Sequence, residues 1–401
     1  LALDFSQALA LKTRLQGAAD SAALGAIAES SAGVQKAILM SGDGEVSLGT
    51  DDAMKFFMGQ LGENEGFTLD SLEARVVKKD NQISSIVTFK ATIPTSLSRV
   101  LGKDLIQVAG QATAEYQTQT FRDFFLLLDN TPSMGVGATP TDVSTMVKNT
   151  RDKCAFACHI VKNGVEDRNS YYNLAKKLGV TTRINVVAQA TATLMDTAKA
   201  SRKSSNQYRM AVYTFGEKAE DTKLLEVAHL TNDLDAAKKS ADEIDLMSIP
   251  YQGYDNDQQT DFDRALTQIE DKMGTPGNGL TAASPEKILF FVSDGVGDSY
   301  KPSTCTKRTT SGRCQEPIDT KYCKALKNKG YKIAVLYTTY LPLPTNSWYN
   351  TWIKPFQAEI GPRMEECASP GLFFEVSPTE GISDAMTTLF KKIINSPRLT
   401  S

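Results

Sequence analysis

Along the first 30 positions, LALDFSQALALKTRLQGAADSAALGAIAES, apolar residues recur at spacings of three and four: Leu11, Leu15, Ala18, Ala22 and Ala26. One such stripe on an Ala-rich, otherwise polar segment predicts an amphipathic helix. The stripe packs either on its own domain alone or also on other subunits, and the segment does not choose between them. A helix of about 30 residues is about 45 Å long, so part of it is expected to project beyond a small sheet. From about residue 66 to 118 the period drops to two, in FTLDSLEARVVKK, SSIVTFKATIP and IQVAGQATAEYQ, with turn signals such as Asp80-Asn81 between the runs. This pattern predicts antiparallel strands with one wet face. Helix followed by meander defines an α+β module over residues 1–120, with its boundary between Thr118 and Arg122.

From Phe121 the pattern changes again. FFLLLD, KILFFVSD and YKIAVLYT are short continuous apolar runs, as expected of parallel strands covered by helices on both faces. Between and after them, INVVAQATATLMDTAKA (184–200), DLDAAKKSADEI (233–244), TDFDRALTQIEDKM (260–273) and SDAMTTLFKKI have helical periodicity. The predicted fold of residues 121–401 is therefore α/β, a doubly wound and mostly parallel sheet. An insertion is expected at about 135–180 and a second, Cys-rich loop at about 299–325.

Composition narrows the function. The chain has 401 residues with 44 basic and 47 acidic side chains, and its formal net charge of −3 leaves no basic field for nucleic acid. Cys154, Cys158, Cys305, Cys314, Cys323 and Cys367 lie in Pro-, Ser- and Gly-containing stretches, which favours disulfides and an oxidising compartment. Six cysteines permit 15 connectivities; the expected pairs are Cys154–Cys158, Cys305–Cys314 and Cys323–Cys367. The Cys154-Ala-Phe-Ala-Cys158-His159 run is one residue longer than the haem-attachment spacing, so a local disulfide is preferred there over haem or zinc. No run of 18 apolar residues is present, and the start at Leu1 without a methionine suggests removal of an upstream segment.

Two apolar strands end in acidic loops, Leu126-Leu127-Leu128-Asp129 and Phe290-Phe291-Val292-Ser293-Asp294-Gly295. Carboxyl ends of central parallel strands form the binding crevice of an open sheet, so the two carboxylates are expected to converge. Thr131 and Ser133 add hydroxyls at alternate positions, and Thr260 precedes a helix beginning Asp261-Phe262-Asp263. Thr214, Thr222 and Thr231 lie in the same interval and compete with Thr260. Hard divalent cations take oxygen ligands, and this set supplies them without saturating an octahedron. The competing reading has Asp129 and Asp294 merely capping turns or helices.

D-N-T-P-S, Q-T-D-F-D-R-A-L and F-V-S-D-G, in that order on alternating strands and helices, resemble the metal-ion-dependent adhesion site of von Willebrand factor A-type domains. The resemblance implies Asp129, Thr131, Ser133, Thr260 and Asp294 as metal-site residues, with Thr131 in place of the commoner serine. The implied ion is Mg²⁺, with Mn²⁺ or Ca²⁺ as alternatives, and the implied partner is a protein or surface ligand offering a carboxylate. The front module, with Leu-Asp-Phe-Ser, Lys-Thr-Arg-Leu-Gln-Gly-Ala-Ala-Asp-Ser-Ala-Ala-Leu, Ala-Thr-Ile-Pro-Thr-Ser-Leu and Ala-Thr-Ala, is similar to the Tad-like region of TadG-type proteins of bacterial tight-adherence (Flp) pilus systems. That likeness implies a periplasmic or cell-surface location, with anchoring in the inner membrane through an upstream segment or association with the pilus.

Catalysis is not expected. The chain has two histidines, His159 and His229, and lacks a Gly-x-Ser-x-Gly elbow, an H-E-x-x-H pair and a phosphate-cradling Gly-rich loop. Asp255, Asp257, Asp261 and Asp263 are candidate bases whose simpler role is as solvated partners of a helix dipole. The expected function is a non-enzymatic surface or pilus-assembly protein binding a partner through the metal. A membrane-anchored periplasmic scaffold and a metal-dependent hydrolase are the alternatives.

Overall fold

The structure, a computed structural model, describes residues 2–395 apart from 29, 41, 63–65, 80, 81, 118, 119, 222, 255–259, 341, 345 and 378–380. The chain divides into two compact units, Leu1–Thr120 and Phe121–Ser401. Thr222, Asp255, Asp257 and the Asp80-Asn81 turn lie outside the described residues.

In the first unit, helix Ala2–Ala26 buries Ala8, Leu11, Leu15, Ala18, Ala19, Ala22, Ala23 and Ala26 along one stripe. The stripe packs against strands Leu105–Gln117 and Gln82–Pro94 and helix Ser47–Leu61. Thr68–Lys79 and the short Gly44–Glu45 complete a four-stranded antiparallel sheet. The expected overhang is not seen, because burial runs from Asp4 to Ala26. Twenty-five helical residues span about 38 Å, and 13 strand residues span about 43 Å, so the strands match the helix in length, and helix Ser47–Leu61 adds to its cover. Helices Ala32–Leu39 and Ser47–Leu61 were not anticipated. They meet at glycines: a Cβ on Gly33 would lie 2.6 Å from Gly49 Cα. Asp4, itself buried, accepts hydrogen bonds from Ser96 N–H at 2.7 Å, Ser98 N–H at 2.8 Å and the Ser98 hydroxyl at 2.8 Å. Those donors, Ser96 N–H foremost, hold its carboxyl well below the usual range.

The second unit is built on a six-stranded sheet, ordered Phe373–Val376, Lys332–Thr338, Glu286–Ser293, Arg122–Leu128, Tyr208–Thr214 and Leu225–Thr231. The first five run parallel and Leu225–Thr231 is an antiparallel edge. Every residue of Arg122–Leu128 is buried, because alternate side chains enter two separate cores. Phe125, Leu127, Leu289 and Phe291 pack on one face with residues of helices Phe262–Met273, Thr320–Asn328 and Gln357–Cys367. Phe124, Leu126, Leu128, Phe290 and Val292 pack on the other with Arg183–Ser201, Leu234–Ala241 and Ile382–Asn395. The chain moves outward from Arg122–Leu128 to one edge, then returns to its other side at Glu286–Ser293 and proceeds to the opposite edge. The direction of winding therefore reverses between these two strands, the place where open α/β sheets form their crevice.

Residues 135–180 carry helix Pro140–Asn149, the antiparallel pair His159–Lys162 and Val165–Glu166, and helix Tyr171–Lys177. Val296–Tyr300, Thr309–Thr310 and Arg313–Pro317 form a small antiparallel sheet tied by the Cys305–Cys314 disulfide. A second disulfide, Cys323–Cys367, joins helices Thr320–Asn328 and Gln357–Cys367. The expected Cys154–Cys158 bridge is corrected by the structure: both are free thiols. Cys154 Sγ is engaged instead by the backbone of Phe156, whose N–H donates to it at 3.4 Å.

Candidate metal centre

Strands Arg122–Leu128 and Glu286–Ser293 pair in register through Leu128 and Val292. Asp129 N–H donates to Val292 O at 2.9 Å, so Asp129 and Asp294 leave the sheet side by side. The loop after the first strand folds back on its own aspartate. Asp129 Oδ1 accepts from Thr131 N–H at 3.0 Å and from the Thr131 hydroxyl at 2.6 Å, while Oδ2 accepts from the Ser293 hydroxyl at 2.6 Å. Pro132 then opens a 3₁₀ turn, Pro132–Gly135, where its missing N–H costs nothing. That turn brings Ser133 Oγ to 3.3 Å from Thr131 Oγ1 and into hydrogen-bonding contact with the Asp294 carboxylate.

Asp294 Oδ1 accepts from Val296 N–H at 3.2 Å, and Arg183 Nη1 lies 3.5 Å from Oδ2. The intervening Gly295 has φ +74°, and a Cβ there would meet Ile360 Cγ2 at 2.6 Å, so both conformation and space require glycine. Asp129, Thr131 and Asp294 have no measurable exposure, and Arg183 has 1%. Burial, followed by the neighbouring Asp129 charge, raises the Asp294 pKa to about 7, with Arg183 opposing the shift. Burial raises Asp129 as well, against the Ser293 and Thr131 hydrogen bonds. With both carboxylates ionised, Arg183 offsets one charge and a net negative charge remains in a water-poor site.

Thr260 joins by a different route. It forms a backbone bridge with Asp298, Thr260 N–H to Asp298 O at 2.8 Å and Asp298 N–H to Thr260 O at 3.1 Å. The Asp298 carboxylate is held by Arg313 at 2.8 and 2.6 Å and by Gln315 at 2.8 Å. Thr260 and Ser133 both line a cleft of about 490 Å³ whose walls include Phe156, Tyr254, Trp348, Trp352 and Arg313. Among the competing threonines, Thr231 pairs with Met210 toward the other end of the sheet. Thr214 ends its strand level with Leu128, and its buried hydroxyl has no protein partner, but it does not line the cleft.

Arg183, Tyr340 and the two tryptophans were not singled out from sequence. Arg183 stacks 5.6 Å from the Tyr340 ring centre, and these residues come from segments with no local motif. Ser293 had a signal, since it sits inside the F-V-S-D-G run. His159 is occupied elsewhere, with Nδ1 2.9 Å from Leu246 O and its ring stacked on Tyr172. Asp261 caps its helix by accepting from Arg264 N–H at 3.0 Å, and Asp263 pairs with Lys301 at 2.8 Å. Cys305, Cys314 and Glu316 also gather closely, but the two sulfurs are bonded to each other and Glu316 accepts from Lys301 and Thr306.

No family model and no curated protein matches the chain. Among solved structures it is similar to the von Willebrand factor domain of the type V pilus tip protein of Porphyromonas gingivalis, with TM-score 0.39 and 10% identity over 71% of this chain and 99% of that one. It is also similar to the pilus adhesin SpaC of Lactobacillus rhamnosus GG, with TM-score 0.39 and 11% identity over 82% of this chain and 34% of that one. A third likeness is to proximal thread matrix protein 1 of the mussel byssus with a zinc-occupied MIDAS motif, with TM-score 0.33 and 12% identity over 69% of this chain and 48% of that one. The chain thus spans about a third of the adhesin and about half of the byssus protein.

Proposed function

We propose that residues 121–401 form a doubly wound, von Willebrand A-like domain that holds a divalent cation with Asp129, Thr131, Ser133, Thr260 and Asp294. One observation carries the reading: two fully buried aspartates stand side by side where the winding reverses, with a single arginine at hand and hydroxyls directed among them. The donors are all oxygen, which suits Mg²⁺ ahead of Mn²⁺ or Ca²⁺ and disfavours soft metals. Bound there, the ion supplies an electropositive centre for a carboxylate on a partner. The protein's own residues do the rest: Ser293 and Thr131 fix the Asp129 carboxylate, and Ser133 and Thr260 face a cleft walled in part by aromatic side chains.

In this reading the protein is a non-enzymatic binding protein of a bacterial surface or pilus-assembly system of the tight-adherence type. Its first unit is a TadG-like module and its location is periplasmic or cell-surface, with membrane attachment through an upstream segment. Among the described residues, no helix is long and apolar enough to cross a membrane. The absence of catalysis at the metal centre is part of the proposal. It draws support from His159 and Asp263 being tied up by Leu246 O and Lys301. Calorimetric titration of Mg²⁺ and Mn²⁺ tests the site: wild type is expected to bind, and Asp129→Ala to bind at least about tenfold more weakly, a loss of about 1.4 kcal/mol or more. Equal affinity in a folded Asp129→Ala protein would remove the site.

A further inference from the structure

The Cys154–Cys158 segment forms one side of the cleft, and both sulfur-bearing residues line it. The other four cysteines are paired, so these two thiols stand apart chemically. They are near enough for each to shift the other's titration. They also differ in the way a dithiol exchange pair must. Cys154 is half-buried, and its sulfur accepts from Phe156 N–H at 3.4 Å, an arrangement that favours thiolate. Cys158 is buried, 9% exposed, behind it. The neighbouring Cys158 thiol lowers the Cys154 pKa, whereas the Cys154 sulfur and burial raise that of Cys158.

We propose that Cys154 and Cys158 are a thiol–disulfide exchange site opening into the cleft, with Cys154 as nucleophile, Cys158 as resolving thiol and a small aliphatic disulfide of about cystine's size as substrate. The cleft volume of about 490 Å³ falls in the range that holds such molecules. The Cys154 thiolate attacks one sulfur of RS–SR, the S–S bond breaks, and the leaving RS⁻ takes up the proton Cys154 has released. Cys158 then loses its proton and attacks Cys154 Sγ in the mixed disulfide. The Cys154–Cys158 bond forms, and the second RS⁻ leaves and is protonated. Two protein thiols are oxidised by two electrons while one disulfide is reduced to two thiols. No step involves the ion, so this inference stands or falls separately from the metal site.

The test uses the full chain with the pair opened by limiting reductant, the Cys305–Cys314 and Cys323–Cys367 bridges being verified by peptide mass mapping. Cystine is added, samples are quenched in acid at intervals, and cysteines are mapped after alkylation. Wild type is expected to form the Cys154–Cys158 bridge with release of cysteine and no lasting mixed disulfide. Cys158→Ser should stop at cysteine bonded to Cys154, and Cys154→Ser should react about tenfold or more slowly, since a buried thiol is a poor nucleophile. Where a variant fails to fold, timed alkylation of the wild type replaces it, with Cys154 labelled before Cys158. Persistent free thiols in wild type, a lasting mixed disulfide, or Cys158 reacting first would overturn the proposal.

Discussion

Asp294 is an acid whose protonated form the fold favours. Its pKa of about 7, set by burial and the Asp129 charge, stands against an ordinary value of 3.8. Because the folded value is the higher one, the ion-free protein gains stability that is fully present below the unfolded pKa and is lost as pH rises through about 7. A bound cation would take the place of that proton. The ion-free melting temperature is therefore expected to fall between about pH 5 and about pH 8, with saturating Mg²⁺ recovering the loss at the upper end; scanning fluorimetry with and without chelator measures both. A melting curve independent of pH and of Mg²⁺ would contradict this. Arg183 gives a second handle at the same scale. Arg183→Met leaves Asp294 buried without its cation, and breaking such a pair costs about 3–5 kcal/mol. Urea unfolding in chelator above neutral pH reads that loss, and a change below about 1 kcal/mol would contradict a role for the pair.

Among the elements, the two disulfides differ in what they close. Cys305–Cys314 encloses a separation of 9 residues and Cys323–Cys367 one of 44. Loop-closure entropy then predicts that replacing each pair by alanine costs about 2.5 and about 4 kcal/mol respectively. Denaturant unfolding of the two double variants checks the order, and equal losses would show that native-state contacts outweigh loop length. Cys305–Cys314 was readable from closeness in sequence and Cys323–Cys367 only as the remaining pair, whereas Cys154 and Cys158, four residues apart, are free thiols, because closeness in sequence does not by itself make a bridge. Strand content was most readable where the code was simplest. FFLLLD and KILFFVSD are apolar on both faces because both faces are covered. By contrast Thr320–Asn328 and Gln357–Cys367 bury only narrow stripes, Thr320, Cys323 and Leu326 in one and Ile360, Met364 and Cys367 in the other. Stripes that narrow leave little periodicity to read.

At the scale of the whole molecule, the candidate site is assembled from segments up to 165 residues apart, Asp129 to Asp294, and its two acidic loops could be nominated because each follows an apolar strand. Their adjacency depends on strand order, which no local pattern encodes. The cleft above them was invisible in sequence for a related reason: Phe156, Tyr254, Arg313 and the pair Trp348 and Trp352 come from four separate segments. The two units have independent cores, one around Leu15, Phe57 and Phe89 and the others around the six-stranded sheet, so the ion-site account concerns the second unit alone. Its central claim is a location, and a location is best tested directly. A crystal structure of the protein grown with Mn²⁺, with anomalous scattering collected at the manganese edge, should place one peak within about 2–4 Å of oxygens from Asp129, Thr131, Ser133, Thr260 and Asp294, some bound directly and some through water. An anomalous map with no peak at these five residues, under conditions where Mn²⁺ saturates the protein in solution, would contradict the account.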